Sequence, residues 1–344
     1  MASRFPTPPL ARRRLLLAGP PLLGFGPVRT KAQGSGERRF RVAFANLDET
    51  PGTTLEGLGF TGAEVRRSFE LAARTLPLDM TYLDNGGDPA RAVANAEAAI
   101  AARVDLLIEY GPDAETNAEI ARKLAEAGIP ALAVVTPLPG APLYGPDNHE
   151  AGRIAGRALA AFARENWPGE PLSGVVIGDL AAPGPAVGER LRGLTEAVRE
   201  ALPTLEFARL DTGGQPVRAD ALLAKFLRTR SGRLLIATLD DPAAVNAKNA
   251  IEMNRRQSDC IIVSQGLDRS IHGGASEKKE IDPNNRGGVV LGSVAYYMDR
   301  YGYDVLPLAL RLLGGERVPP RTATRHMLIT AANVFREYPP FDMN

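Results

Sequence analysis

The chain has 344 residues, 44% of them hydrophobic, which is enough apolar material for more than one hydrophobic core. Its formal net charge of +1 depends on six bases within residues 1–32, a segment without acids, and becomes −5 when they are left out. A mildly acidic chain lacks the basic face that phosphate contacts require, so no nucleic-acid partner is expected.

Residues 1–32 have the composition of an export signal. Arg12-Arg13-Arg14 precedes a short apolar run that ends near Phe25, and cleavage is expected near Ala32. Consecutive arginines before a weakly apolar run indicate the twin-arginine route, with a Sec signal or a disordered basic tail as alternatives. No apolar run is long enough for a permanent span. We therefore expect a periplasmic monomer without stable membrane insertion.

Short apolar runs alternate with segments of helical length in two successive halves of the chain. The runs cover residues 41–47, 78–83, 105–110 and 131–136 in the first half, and 173–179, 205–210, 234–239 and 260–265 in the second. This alternation is typical of parallel sheets with crossover helices. The sequence therefore predicts an α/β fold of two doubly wound parallel-sheet lobes, each with its own core, whose strand ends face one crevice.

The predicted lobes are connected by a three-stranded hinge. Residues 144–153 separate the two halves and contain the first crossing, and further crossings are expected near 295–296 and 319–321. These boundaries assign residues 38–145 and 296–320 to the N-terminal lobe, and residues 146–295 and 321–344 to the C-terminal lobe. Three short crossings would allow the lobes to bend towards each other without separating.

Helix caps can be located within this pattern. Asp88 and Asp113 are expected to cap the N-termini of two helices, and Gly128 is expected to end the second of them. Of the adjacent acids Asp240 and Asp241, at least one is expected to cap the helix that begins near Pro242.

A glycine motif lies between the first strand and the first helix. Residues 57–62 read Gly-Leu-Gly-Phe-Thr-Gly, which fits the dinucleotide fingerprint, and Asp84 follows at the end of the second strand. The fingerprint requires its first glycine directly after a strand, whereas the predicted strand ends near Leu47. We interpret residues 48–59 as a long loop in the crevice. An exported NAD(P)-dependent oxidoreductase of the Rossmann type stays as an alternative, although the repeated second half argues against it.

Few residues suggest catalysis. The histidines are His149, His272 and His326, none at metal-ligand spacing from another, and the sequence has no nucleophile elbow, P-loop or His-Glu-x-x-His motif. The protein is therefore expected not to be an enzyme, and to bind without turnover, cofactor or metal.

Three segments carry a family resemblance. They are residues 145–156 (Gly-Pro-Asp-Asn-His-Glu-Ala-Gly-Arg-Ile-Ala-Gly), residues 188–193 (Gly-Glu-Arg-Leu-Arg-Gly) and residues 308–318. Their order and spacing resemble the type I, ribose-binding-protein-like periplasmic binding proteins of ABC transporters, a fold shared with the LacI-type repressors. The resemblance implies capture of a sugar-like molecule, polyol or related metabolite between two lobes, and delivery to an ABC-type permease. A ligand-sensing partner of a membrane receptor shares the fold and is a further alternative.

The resemblance extends only in part to the family's ligand positions. Asn148 matches the hinge asparagine, and Tyr296 falls at a polar hinge position. Gly188 and Leu239 stand where an arginine and an asparagine are expected, and Thr136-Pro137 replaces an Asp-Arg pair. These losses, with several carboxylates nearby, favour a neutral or cationic ligand. The candidate ligand-binding residues are Asn46, Asp48, Tyr110, Thr136, Asn148, Asp179, Asp240, Gln265, Asp268 and Tyr296.

Overall fold

The computed structural model describes residues 38–181, 184–273, 280–281 and 288–339. Those from Arg39 onwards belong to one compact unit. The expected export signal of residues 1–32 lies outside the described residues. Among the residues that are described, no helix is both long enough and apolar enough to cross a membrane.

Each predicted apolar run is confirmed as a strand. In the first half the strands are β1 Phe40–Asn46, β2 Leu78–Asp84, β3 Leu106–Glu109, β4 Ala131–Val134 and β5 Leu143–Gly145. In the second half they are β6 Leu172–Gly178, β7 Phe207–Asp211, β8 Arg233–Thr238, β9 Cys260–Gly266 and β10 Val290–Ala295. Near the C-terminus follow β11 Arg321–Ala323 and β12 Met327–Thr330.

The described strands form two sheets. The first has the order β11-β5-β4-β3-β1-β2, and its pairings are parallel. The second has the order β12-β10-β9-β8-β6-β7, with β12 antiparallel to β10 and the other pairs parallel. The inner strands are buried along their length because helices cover both faces, which accounts for their continuous apolar runs.

Helices connect the strands and cover the sheets. In chain order they are α1 Gly62–Ala73, α2 Pro89–Ala101, α3 Ala114–Ala127, α4 Asn148–Asn166, α5 Pro185–Ala201, α6 Arg218–Leu227, α7 Asp241–Met253, α8 Arg269–His272, α9 Tyr301–Leu313 and α10 Val334–Glu337. A 3-10 turn, Met298–Arg300, precedes α9. The predicted α/β fold with two doubly wound lobes is confirmed.

The predicted caps at the N-termini of α2 and α3 are also confirmed. The Asp88 carboxylate accepts a hydrogen bond from the backbone N–H of Ala90, and that of Asp113 accepts one from Thr116. Gly128 ends α3 with a left-handed φ of 68°, a conformation in which glycine has no Cβ clash. These contacts satisfy backbone groups that a helix end leaves without partners.

Within the described residues, the chain passes between the lobes at three places. The first crossing leads from β5 to α4, which packs against α5, and the second leads from β10 to α9, which packs against α1. The third lies at residues 324–326, between β11 and β12, and not at 319–321 as the sequence suggested. Residues 321–323 belong to the first lobe, because Arg321 pairs with Leu143 of β5.

The apolar core is continuous between the lobes. One cluster of buried side chains includes Phe44 and Phe69 of the first lobe and Val263 of the second, with Leu58 and Tyr296 among its members. Leu58 is fully buried and comes from the loop between β1 and α1. The expectation that each lobe has its own core is confirmed for one buried cluster in each lobe, whereas the cluster that contains Leu58 extends across both lobes.

Candidate ligand site between the lobes

A cavity of about 400 Å³ lies at the carboxyl ends of the strands, where doubly wound sheets bind ligands. In the second sheet, β6 lies between β7 and β8, and the loops after β6 and β8 reach the cavity. The first lobe contributes the loop between β1 and α1. The polar residues of its wall are Thr54, Glu56, Asp179, Arg190, Thr212 and Asp240.

Arg190 is the most buried charged residue of this wall, with 1% of its surface exposed. Its Nε donates a hydrogen bond to Oδ1 of Asn148 at 2.8 Å. Its terminal nitrogens donate longer hydrogen bonds, at 3.4 Å to the carbonyl of Leu239 and at 3.3 Å to that of Glu56. The guanidinium also lies over the Tyr296 ring, 5.1 Å from the ring centre. Arg190 therefore links residues of both lobes at the cavity.

Close packing of α4 against α5 fixes the position of Arg190. A Cβ built on Gly152 of α4 would lie 2.1 Å from the carbonyl oxygen of Arg190, and one on Gly193 of α5 would lie 2.0 Å from that of His149. Both distances are far below van der Waals contact, so only glycine lets the two helices approach this closely. The backbone of Arg190 is consequently held against α4.

A buried polar network surrounds the guanidinium. The Tyr296 hydroxyl lies 3.3 Å from Oδ1 of Asn148 and 3.0 Å from Oε1 of Gln265, so its single proton can serve one acceptor at a time. Burial raises the pKa of Tyr296 to about 12, which keeps the phenol neutral. Among the described residues, Nε2 of Gln265 has no hydrogen-bond partner.

The two adjacent acids at the start of α7 have different roles. Asp240 lines the cavity, and its Oδ1 caps α7 by accepting from Ala243 N–H at 2.7 Å, which confirms the predicted cap. Burial raises the pKa of Asp240 to about 6, so it is mostly ionised at neutral pH. Asp241 is fully buried and accepts hydrogen bonds from Ser264, Ser293 and the backbone of Asp268. It therefore supports the second lobe from within.

The loop between β1 and α1 enters the space between the lobes. Oε1 of Glu56 accepts a hydrogen bond from the Tyr110 hydroxyl at 2.9 Å, and Glu56 adopts a left-handed φ of 53°. A Cβ built on Gly59 would lie 1.6 Å from Oδ2 of Asp268, so the loop backbone rests directly on the second lobe. The glycine motif is thus part of an interlobe contact, and its first glycine lies far from the end of β1.

The structure brings five of the predicted site residues together. Asp179 and Asp240 line the cavity. Asn148, Gln265 and Tyr296 lie behind the wall and form the network around the guanidinium. The remaining candidates do not line this cavity: Asn46, Asp48, Tyr110, Thr136 and Asp268.

Those five residues make hydrogen bonds elsewhere, each within its own lobe. The Asn46 side chain donates to the carbonyl of Gly62, and Asp48 accepts from the backbone of Thr50. Tyr110 donates to Glu56, and the carbonyl of Thr136 accepts from Asn117. Asp268 caps α8 by accepting from Ser270. Their positions at strand ends were therefore insufficient to place them on the cavity wall.

The sequence reading missed Arg190. It assigned the arginine position of the family to Gly188, although Arg190 occurs two residues later in the same helix. The buried face of α5 consists of Arg190, Gly193, Leu194, Ala197 and Val198, at helical spacing. That stripe, followed back towards the N-terminus of α5, would have identified Arg190 as the inward-facing residue.

Comparison with known proteins agrees with this architecture. Residues 60–317 match the family model described as periplasmic binding protein domain. The fold is similar to GanP, a glucose-galactose binding protein from Geobacillus stearothermophilus, with a TM-score of 0.63, 18% identity and coverage of 86% of this chain and 98% of that one. It is also similar to a sugar-binding protein of a sugar ABC transporter from Bacillus halodurans, with a TM-score of 0.67, 18% identity and coverage of 87% and 99%. No curated protein matches. Because this family model matches most of the chain, the protein belongs to the periplasmic binding proteins.

Proposed function

We propose that the protein is a periplasmic solute-binding protein that captures a small carbohydrate-like molecule between its lobes and delivers it to an ABC-type permease, without chemical turnover. Family membership and the sugar-binding proteins of the same fold support this proposal. The observation that carries it is the shared cavity wall, to which the first lobe contributes Glu56 and the second contributes Arg190 and Asp240.

A wall shared by two lobes couples binding to closure. A ligand that contacts Glu56 and Asp240 together gains both sets of contacts only when the lobes are close, so it shifts the population towards the closed form. The three crossings allow such bending while they keep the lobes connected. A permease that recognises the closed arrangement would then distinguish loaded from empty protein.

Native mass spectrometry of the protein as purified tests the proposal. We expect a retained or added pentose, hexose or related metabolite, and a smaller radius of gyration in small-angle scattering when it is bound. Asp240→Asn should weaken binding, because the amide replaces one of the acceptors in the wall. Failure of every carbohydrate-like compound to bind or to compact the protein would contradict the proposed capture.

Export is the second part of the proposal. We infer cleavage near Ala32 and release of a monomer into the periplasm, by the twin-arginine route that the cluster of residues 12–14 suggests. Amino-terminal sequencing of secreted protein should begin near residue 33, and replacement of Arg12 and Arg13 by lysine should block export. Secreted protein that begins at Met1 would contradict cleavage, and unchanged export of the lysine variant would favour the Sec route.

A further inference from the structure

We propose that the captured solute carries a carboxylate, and that this group pairs with the guanidinium of Arg190. The inference rests on the proposed function and specifies its ligand as a sugar acid or a similar hydroxy acid. It reverses the expectation of a neutral or cationic ligand, which followed from assigning the arginine position to Gly188.

Arg190 carries a buried positive charge. Its acceptors are the amide oxygen of Asn148 and the carbonyl oxygens of Glu56 and Leu239, all of them neutral. Among the described residues, no carboxylate oxygen lies within 4.0 Å of its nitrogens. A guanidinium that is 1% exposed is usually paired with an anion, because burial of an isolated charge is unfavourable. The Asp240 carboxylate interacts with this charge through space, since Arg190 lowers its pKa against the effect of burial, but no described carboxylate pairs with the guanidinium directly, and a ligand can take that place.

The guanidinium of Arg190 has N–H groups that are available to a ligand. A guanidinium has five N–H groups, and the one on Nε is used by Asn148 at 2.8 Å. The terminal nitrogens contact backbone carbonyls at 3.3 and 3.4 Å, longer than the usual distance, and the guanidinium also bonds to the Tyr296 side chain, so these N–H groups are held weakly and can turn to a ligand. Two such groups on one planar fork match the two oxygens of a carboxylate. Arg190 also lines the cavity, where a ligand can reach it.

The acidic residues of the cavity wall favour a ligand with one negative charge and several hydrogen-bond donors. Glu56, Asp179 and Asp240 line the same cavity, and they would repel a second anionic group. A sugar phosphate or a dicarboxylate therefore fits poorly. Hydroxyl groups, by contrast, can donate to these carboxylates. A polyhydroxy acid provides both parts, with one carboxylate at Arg190 and hydroxyls at the acidic wall.

The test offers the purified protein four equimolar pools and identifies the retained compounds by native mass spectrometry. The pools contain aldopentoses and aldohexoses, the corresponding aldonates and uronates, the amino sugars, and the sugar phosphates. We expect retention from the acid pool, and calorimetry should show the retained acid binding at least tenfold more tightly than its neutral parent sugar.

The binding results distinguish a carboxylate at Arg190 from carbohydrate capture in general. Equal or tighter binding of a neutral sugar, an amino sugar or a sugar phosphate would overturn the carboxylate inference and would leave carbohydrate capture intact. Retention of nothing from any pool would overturn both.

Matched variants test the role of Arg190 itself. Arg190→Gln should lower the affinity for the acid about a hundredfold and make the acid and its parent sugar bind alike. Arg192→Gln is the control, because Arg192 lies on the same helix with 58% of its side chain exposed. Arg190→Lys keeps the positive charge but lacks the two parallel N–H donors of the guanidinium, so it should bind the acid with intermediate affinity. It provides a second measurement if Arg190→Gln does not fold. Unchanged discrimination between acid and sugar in a folded Arg190 variant would refute the assignment.

Discussion

The imidazole of His326 accepts a hydrogen bond from the backbone N–H of Asp147 at 3.0 Å, although 179 residues separate them. Its other nitrogen, Nδ1, lies 2.9 Å from the carbonyl oxygen of Ala295. A carbonyl only accepts and a backbone N–H only donates, so the ring is neutral, with its proton on Nδ1. These three residues lie at the three crossings, and one neutral side chain therefore connects all of them.

Acid should weaken this connection. Burial lowers the pKa of His326 below its ordinary value of 6.5, and a proton on Nε2 would face the N–H of Asp147. Below about pH 6.5 the unfolded chain binds a proton that the folded chain does not, so the free energy of unfolding falls as the pH falls. Urea denaturation from pH 7.5 to pH 5 should show this loss, and His326→Gln should show less of it. Identical pH dependence in the two proteins would contradict this role.

Glu109 should give the opposite pH dependence, in a range that extends to higher pH. It is fully buried at the end of β3, where Oε1 accepts from Asn85 at 2.9 Å and Oε2 has no partner among the described residues. Burial raises its pKa from 4.5 to about 8. Between these values the folded chain holds a proton that the unfolded chain has lost, so stability falls as the pH rises.

The corresponding experiment is denaturation of Glu109→Gln between pH 5 and pH 8. The amide cannot ionise, so the variant should have a flatter profile and should exceed the parent in stability at pH 8. Glu115→Gln, at an exposed position of α3, serves as the control and should follow the parent. A Glu109→Gln profile parallel to that of the parent would indicate that Glu109 is already ionised in the folded protein.

Gly59→Ala should hold the lobes apart. The new Cβ would lie 1.6 Å from Oδ2 and 3.1 Å from Cβ of Asp268, whose carboxylate is held by hydrogen bonds from Ser270, so the loop between β1 and α1 should be displaced from the second lobe. Gly52→Ala is a close control in the same loop, since its φ of 85° resembles the 88° of Gly59 and a Cβ there would have no neighbour within 4 Å. Both variants carry a left-handed backbone penalty of about 1–2 kcal/mol. Small-angle scattering should show a larger radius of gyration for Gly59→Ala alone, and equal radii would refute the contact.

Asn148→Ala should weaken ligand binding. The substitution leaves the Nε–H of Arg190 without its 2.8 Å acceptor in a buried position, at a cost of about 1–3 kcal/mol. If Arg190 binds the ligand, calorimetry with the retained compound should show a loss of about tenfold to a hundredfold. Tyr296→Ala removes the ring beneath the guanidinium and should act in the same direction. Asn166→Ala, at the other end of α4, should bind like the parent, and parental binding by both test variants would contradict the site.

The fold could be predicted from the sequence to a large extent because its core strands are continuous apolar runs. Four strands, β5, β10, β11 and β12, lie outside the predicted runs, and of these β11 consists of Arg321, Thr322 and Ala323 at the edge of the first sheet and is largely exposed. An edge strand of three polar or small residues has no hydrophobic pattern, so its pairing with β5 depends on tertiary contacts. The third crossing was misplaced for this reason.

The site was predictable only in outline. Strand ends identified Asp179 and Asp240, because side chains there face the crevice in a doubly wound sheet. Arg190 was missed since charged residues are rarely buried, and the glycines that hold its helix close to α4 act through backbone contacts. The position of residues 55–59 between the lobes likewise depends on contacts with residues far away in the sequence, such as Asp268, so it could not be predicted from the local sequence.

The return of the chain to the first lobe has a consequence for biosynthesis. The lobe that begins at β1 receives α9 and β11 only after most of the second lobe has been made, because α9 starts at Tyr301 and β11 ends at Ala323. Until then α1 lacks helix α9, which packs against it in the complete protein. The apolar side chains of Val65 and Phe69 are therefore not yet fully covered. The contacts that complete this lobe are of very long range, and closing such loops is slow. The N-terminal half is therefore the part of the nascent chain that stays open to aggregation, or to a chaperone, for the longest time.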